Sequence, residues 1–318
     1  MNPGPAGFRH VAIIGLGLIG GSIGLAVREF LPGIRTSGYD VDPATRKRAA
    51  ERGLADTISA SAAEAVQGAD LVILCVPVGA MSEAAREIAD ALPAHAVVSD
   101  AGSSKQTTYE ALAAALPDHC ILPAHPVAGT ENSGPDAGFA TLFQQRWCII
   151  TPPAGADPVQ VSRLVAFWES LGAMVDTMDP KHHDLVLAVT SHIPHLIAYT
   201  IVGTASDLEE VTRSEVIKYS AGGFRDFTRI AASDPTMWRD VFLNNRDAVL
   251  VMLQRFLDDL ASLQDAIRDG DGDALFDLFT RTRAIRRSIV ALGQDDARPD
   301  FGRKDHSSQA RSPKQDDL

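Results

Sequence analysis

At 318 residues the chain is long enough for two cores, and its 45% hydrophobic content is that of an ordinary globular protein. A formal net charge of −12 argues against nucleic acid and anionic membrane surfaces as partners, so an anionic substrate needs locally placed arginines. The three cysteines, Cys75, Cys120 and Cys148, lie in or beside apolar runs and form no CxxC pair. That points to reduced thiols in a cytoplasmic protein and to no metal site.

The first ten residues, MNPGPAGFRH, contain no apolar core of signal-peptide length, so export is not indicated. An unbroken apolar run at 11–14 then reads as a strand buried on both faces of a parallel sheet. Gly15, Gly17 and Gly20 follow at GxGxxG spacing, and 18–30 is helix-compatible until Pro32. Each glycine has a separate role: a tight reversal at Gly15, close approach of backbone N–H groups to a pyrophosphate at Gly17, and helix-to-strand packing at Gly20. The pyrophosphate then lies at the N-terminus of the helix opened by Leu18 and Ile19, where the macrodipole favours anions. A second strand over 35–39 ends in Asp40, placed to accept the adenosine ribose hydroxyls and so to favour NAD. A turn aspartate is the alternative, since Asp42-Pro43 follows as a helix start.

Strands and helices continue to alternate, the pattern of a doubly wound Rossmann-type α/β sheet. A helix over 43–52 ends at Gly53, and a strand over 71–76 leads through Val76 and Pro77 into a helix over 80–92. A strand over 96–100 is followed by the turn Ala101-Gly102-Ser103-Ser104-Lys105 and a helix over 106–116. Ligands of such sheets gather outside the carboxyl ends of the strands, which makes these turns the place to look for chemistry. The strand at 120–123 feeds a loop, His125-Pro126-Val127-Ala128-Gly129-Thr130-Glu131, rich in reactive side chains. A strand at 147–151, a helix at 158–171 and a strand at 173–178 complete a first domain spanning 8–179.

From Asp179-Pro180 the alternation stops and the chain reads as an all-α domain over 180–293. The stretch 185–205 carries no charged residue, yet His192, Pro194 and His195 dilute it, so it reads as a helix buried within the protein or between subunits rather than as a membrane span. Asp234-Pro235 marks a helix start. Val249/Leu250, Leu253, Phe256/Leu257, Leu260, Leu263 and Ile267 then form a stripe that needs a partner helix. Glycines 270 and 272 interrupt before a last helix, and 294–318 is a polar tail expected to be disordered.

Ser103 with Lys105, His125 with Thr130 and Glu131, and the run from Arg225 to Arg229 stand out as chemistry-bearing clusters. From residue type alone each also has a plainer role: a helix cap, a packed loop histidine, a solvated helix face. Taken together, GLGLIGGS (15–22), DAGSSK (100–105), HPVAGTE (125–131), SHIPH (191–195), GGFRDFTRIA (222–231) and SDPTMWRD (233–240) resemble the prephenate/arogenate dehydrogenase family of tyrosine biosynthesis over residues 10–290. That resemblance implies hydride removal from a cyclohexadienol to NAD coupled to loss of the ring carboxylate. It also implies that His125 takes the proton of the 4-hydroxyl, that Ser103 orients the hydroxyl or the imidazole, and that Gly102 lets the cofactor approach. Arg229, and with less direct support Arg225, become the carboxylate-binding candidates, with Glu131 as an acidic gate. His192 and His195 are candidates for substrate contact, with core packing a rival for both. A homodimer built by the helical domain is further implied, with Trp238 reaching the neighbouring subunit's site. Two other readings stay open: a β-hydroxyacid-type dehydrogenase, for whose lysine Lys218 is the nearest equivalent, and a non-catalytic NAD-sensing protein.

Overall fold

The computed structural model describes residues 6–130, 132–207, 218 and 222–291. Strand β1 (His10–Ile14) is buried at every position and pairs in parallel with β2 (Arg35–Tyr39) on one side and β4 (Leu71–Leu74) on the other. With β3 (Thr57–Ile58), β5 (Val97–Asp100) and β6 (Cys120–Ile121) it forms a six-stranded parallel sheet of order β3-β2-β1-β4-β5-β6. Strand order reverses between β1 and β4, the switch point at which doubly wound sheets hold ligands. Alternate residues of the central strands serve opposite faces: Val11, Ile13, Leu71 and Ile73 enter one apolar cluster, while Ala12, Ile14, Val72 and Leu74 enter another. Covering the faces on both sides is what makes these strands continuously apolar.

Helices α1 (Leu18–Phe30), α2 (Pro43–Arg52), α3 (Ala62–Val66), α4 (Met81–Ile88) and α5 (Gln106–Ala115) connect the strands. Helix α2 shows its local determinants plainly. The Asp42 carboxylate accepts from the N–H groups of Ala44 and Thr45, Pro43 sits at the first turn, and Gly53 closes the helix in the left-handed conformation.

The expected strands near 147–151 and 173–178 form, but outside the parallel sheet. β7 (Ala124–Pro126), β8 (Trp147–Ile150) and β9 (Met174–Thr177) make a separate three-stranded sheet, antiparallel between β7 and β8 and parallel across α6 (Pro158–Ser170). The ladder between β5 and β6 ends with Leu122 N donating to Val98 O, because Pro123 has no N–H to extend it. The chain is thereby released into β7. His125 consequently lies at the centre of a short strand, opposite Ile149, rather than in the expected loop.

Helices α7 (Pro180–Leu187) and α8 (Ile193–Ser206) are joined by a π-helical turn over Ala188–His192. The continuous run Pro180–Ser206 is long and apolar enough to cross a membrane by length and composition. Its buried His183, Asp184 and His192 are hydrogen-bonded to other parts of the chain, however, which is how a helix packed in protein satisfies such groups. Next come α9 (Gly222–Thr228), a 3₁₀ turn over Arg229–Ala232, and α10 (Pro235–Asn244), whose start is capped by Asp234 accepting from Met237 N at 2.9 Å.

The chain divides into two compact units, Met1–Gln254 and Arg255–Leu318. Helix α11 (Arg246–Asp269) runs across the division and α12 (Gly272–Ala291) belongs to the second unit. Gly270, at φ +68°, closes α11 while Asp271 N donates to Ala266 O. Leu257, Leu260 and Ile267 from the anticipated stripe are exposed, as are Phe276, Phe279 and Ile285 on α12. The polar tail expected at 294–318 and the gate candidate Glu131 lie outside the described residues.

Candidate active site

At the end of β1 the three glycines have three different surroundings. Gly15 adopts φ +98°, and a Cβ there would lie 2.6 Å from Cys75 O. At Gly20 a Cβ would come within 1.9 Å of Gly15 O, so only glycine lets α1 sit against the turn. A Cβ at Gly17 would meet nothing within 4 Å; this is open space that a backbone-hugging ligand can use. The start of α1, at Leu18 and Ile19, has no side-chain cap, which leaves first-turn N–H groups for an anion.

Asp40 joins this turn directly. Its Oδ2 accepts from Leu16 N at 2.8 Å and its Oδ1 from Asp42 N at 3.0 Å, leaving each oxygen a further lone pair. The cap of α2 is Asp42, while Asp40 closes the local turn onto Asp42 N and sits at the rim of the glycine loop. Half-buried Val76 and exposed Pro77 follow β4 in the adjacent turn. An uncapped helix start, an open glycine face and a carboxylate at the end of β2 fit a dinucleotide. Gly102 has a reason internal to the protein as well, since a Cβ there would strike Val78 Cγ1 at 2.8 Å and Asp100 Oδ2 at 2.9 Å.

Behind β5 lies a buried ion pair. Lys105 Nζ bonds Asp100 Oδ2 and donates to Ala124 O at 2.8 Å, and Asp100 also accepts from the N–H groups of Gly102 and Ala124. Burial pushes Asp100 up and Lys105 down, and their mutual attraction opposes both shifts. The pair fastens the turn after β5 to β7, the strand that carries His125.

His125 is buried, with Nδ1 2.9 Å from His183 Nε2. His183 Nδ1 in turn lies 2.9 Å from Asp184 Oδ1, and both oxygens of Asp184 accept backbone N–H groups, from Lys105 at 2.7 Å and Gln106 at 3.0 Å. Burial, followed by the neighbouring His183, Lys105 and His192, holds the His125 imidazole well below its ordinary range, so it is neutral at pH 7. His183 and Asp184 were not singled out in the sequence. Polar residues set directly between the Asp179-Pro180 cap and the apolar run that begins at Leu185 are the only local signal that marks them.

The network continues into the helices. Asn245 Nδ2 reaches Asp184 O at 2.8 Å and His192 Nδ1 at 3.0 Å. Burial lowers His192 to about 4. His195 donates from Nδ1 to Ser191 O at 2.9 Å and stacks on Trp238 with ring centroids 3.6 Å apart. Burial lowers His195, and the positive charge of Arg229 lowers it further; the 3₁₀ turn that begins with Arg229 packs against α8. The middle of α10 abuts the nucleotide-side turns: a Cβ at Gly79 would lie 3.1 Å from Asp240 Oδ2.

Several expectations are placed differently. Trp238 is 7% exposed in the single chain and packs on His192, His195 and Phe242. An indole stacked on an imidazole in its own chain is already desolvated there. Ser103 is half-buried and makes no hydrogen bond to His125, whose imidazole is held by His183 instead. Thr130 is exposed and accepts from Asn132 N at 3.2 Å, and Arg225 and Arg229 are exposed at the end of α9 and the turn that follows.

These histidines make stability depend on pH. His10, His125, His183 and His192 are buried, with folded-state values below 6.5. Below that pH the unfolded chain binds protons that the folded chain refuses, so the stability present above pH 6.5 is lost as pH falls toward the folded values. Each withheld proton costs about 1.4 kcal/mol per pH unit. Thermal unfolding followed from pH 7.5 to 5 should show Tm dropping steadily below 6.5; a flat profile would contradict the neutral, buried assignment.

Comparison with known proteins identifies the site's setting. The family model for the prephenate dehydrogenase nucleotide-binding domain matches residues 23–177, and that for the prephenate dehydrogenase dimerization domain matches residues 179–281. The cyclohexadienyl dehydrogenase of Zymomonas mobilis is 44% identical over 92% of this chain and 99% of its own length. The prephenate dehydrogenase of Bacillus subtilis is 33% identical over 92% of this chain and 78% of its own. Among solved structures, prephenate dehydrogenase from Aquifex aeolicus in complex with hydroxyphenyl propionate and NAD+ superposes with a TM-score of 0.83 at 32% identity, covering 88% of this chain and 98% of that one. Two family models spanning both halves of the chain, together with relatives of this identity and coverage, establish that the chain belongs to the prephenate dehydrogenase family.

Proposed function

We propose that this chain oxidatively decarboxylates prephenate, arogenate or both, in tyrosine biosynthesis. The observation that carries the reading is a buried, neutral His125, tied to His183 at the carboxyl edge of a nucleotide-binding sheet, in one network with His192, Trp238 and His195 and with Arg229 beside His195. Bound NAD supplies the acceptor for the hydride lost from the substrate ring carbon. His125 takes the proton of the ring hydroxyl through Nε2, and Ser103 at the neighbouring turn orients that hydroxyl. A neutral imidazole is matched to this task, because a protonated one has no lone pair to offer. Arg229 meets a substrate carboxylate with its guanidinium fork, supported by His195 and Trp238, while Arg225 and Thr130 line the approach. The β-hydroxyacid alternative would rest on Lys218, which is exposed, whereas His125 is buried and hydrogen-bonded.

Steady-state kinetics with prephenate and arogenate, each against NAD and NADP, test the proposal. Turnover of at least one substrate with NAD preferred is expected, because Asp40 sets a like charge against a 2′-phosphate. Asp40→Ser should relax that preference. Better activity with NADP in the unmodified protein would overturn the role of Asp40, and no turnover of either substrate would overturn the function.

The dimerization-domain match and the exposed apolar residues of α11 and α12 support a homodimer in which a second copy covers those side chains. The three unpaired cysteines support a cytoplasmic setting.

A further inference from the structure

We propose that His183 and Asp184 act as positioning residues that fix the tautomer of His125, holding its proton on Nδ1 so that Nε2 presents a bare lone pair to the substrate hydroxyl. This deepens the dehydrogenase reading and rests on it for the identity of the proton donor. The chain of hydrogen bonds has only one consistent polarity. Asp184 is an acceptor, because each of its oxygens takes a backbone N–H, from Lys105 or from Gln106. His183 Nδ1, 2.9 Å from Asp184 Oδ1, is therefore the donor of that contact, and in a neutral ring this leaves His183 Nε2 as an acceptor. At 2.9 Å from His183 Nε2, His125 Nδ1 then has to carry the hydrogen. No described residue makes a hydrogen bond to His125 Nε2.

The arrangement extends the logic of a carboxylate that orients a catalytic histidine by inserting a second imidazole between them. When the hydroxyl O–H bond breaks and the His125 Nε2–H bond forms, the Nδ1–H stays where it is, hydrogen-bonded to His183. The positive charge that appears on His125 faces a ring polarised by the Asp184 carboxylate, and no second proton needs to move. The other charged or titratable groups facing His125 are Lys105, ahead of α5, and His192, on the π turn, and both disfavour that charge. A protonated His183 disfavours it too, so the arm supports His125 only while His183 stays neutral and turns its Nε2 lone pair to the His125 Nδ1–H. The two imidazoles meet edge to face, with centroids 5.1 Å apart, so the contact orients the His125 ring as well as its proton.

Asp184 also receives two N–H groups at the start of α5, so loss of activity on mutation alone would not separate positioning from folding. The decisive measurement is the ¹⁵N spectrum of histidine-labelled apo protein, which reads the tautomer without turnover and so fails independently of the substrate assignment. The expected result is His125 protonated at Nδ1; an Nε2–H tautomer in the wild type overturns the proposal. Asp184→Leu, close in size, removes the acceptor that keeps the hydrogen of His183 on Nδ1 and so releases the polarity of the whole chain. It should shift His125 toward the Nε2–H form and lower kcat by roughly 10²–10⁴-fold, with KM nearly unchanged. His183→Gln, whose carbonyl still accepts from His125 Nδ1, should retain at least tenfold more of kcat than His183→Phe. A folded Asp184→Leu protein with unchanged tautomer and kcat also overturns the proposal. Should that variant not fold, the wild-type spectrum decides alone.

Discussion

Replacing His125 with Asn should lower kcat by roughly 10²–10⁴-fold while KM for the substrate changes little. The side chain acts where a hydroxyl becomes a carbonyl, so its contribution appears in the transition state and is nearly absent from ground-state binding. The wild-type kcat/KM profile should carry an acidic limb for a group that works only when deprotonated. Since burial and three basic neighbours hold His125 down, that limb should fall below the ordinary imidazole value of 6.5. The residual activity of the Asn variant should lack the limb altogether. Near-normal kcat with the limb intact would make His125 structural and move the search for a base to His192 or His195.

Arg229→Ala should show the opposite split. A carboxylate is charged in ground and transition states alike, so losing its guanidinium partner removes uniform binding. Hydrogen bonds to charged groups contribute about 1.5–3 kcal/mol, so KM should rise roughly 10- to 150-fold, with a much smaller fall in kcat. Lys at the same position should restore only part of the loss, because an ammonium cannot form the two parallel bonds. A second readout is free of substrate: Arg229 holds His195 down, so the His195 titration should move upward in the variant. If kcat falls as far as kcat/KM, the arginine acts on the reacting centre and the carboxylate assignment is wrong.

Apart from β3 and α3, which were not anticipated, the elements of the parallel sheet were legible because their determinants are local. Gly15, Gly17 and Gly20 fix the first turn, and Asp42, Pro43 and Gly53 start and stop α2, all within a few positions of the elements they control. β7 was not legible: it has three residues and exists by pairing with β8, whose Ile149 faces His125 from well along the chain. The same limit hid the support of the base. His183 meets His125 across 58 positions and Asp184 meets Lys105 across 79, and no window of sequence contains both ends of either contact. Motif resemblance found His125, His192, His195 and Arg229 but said nothing of what holds them. It placed Trp238 near a neighbouring subunit's site but gave no sign of its stacking on His195 of its own chain.

The π turn between α7 and α8 acts as a phase shift in the helix surface. His183 and His192 are nine positions apart, which at about 100° per residue would put them on opposite sides of an unbroken α-helix. One extra residue in the turn takes back about 100°, leaving them roughly 80° apart. Asp184 and His192 can then be bridged by the single amide of Asn245. The run therefore carries two registers: one that supports the base, and another that carries His195 toward Trp238 and Arg229. This also accounts for a stretch that reads as apolar on every side, since no single period describes both halves. A change of side chain within the turn alters one contact, whereas a change of length by one residue rotates all of α8 against a fixed α7. The spacing between His183 and His195, more than the identity of what lies between them, is what lets one helical run reach both His125 and Trp238.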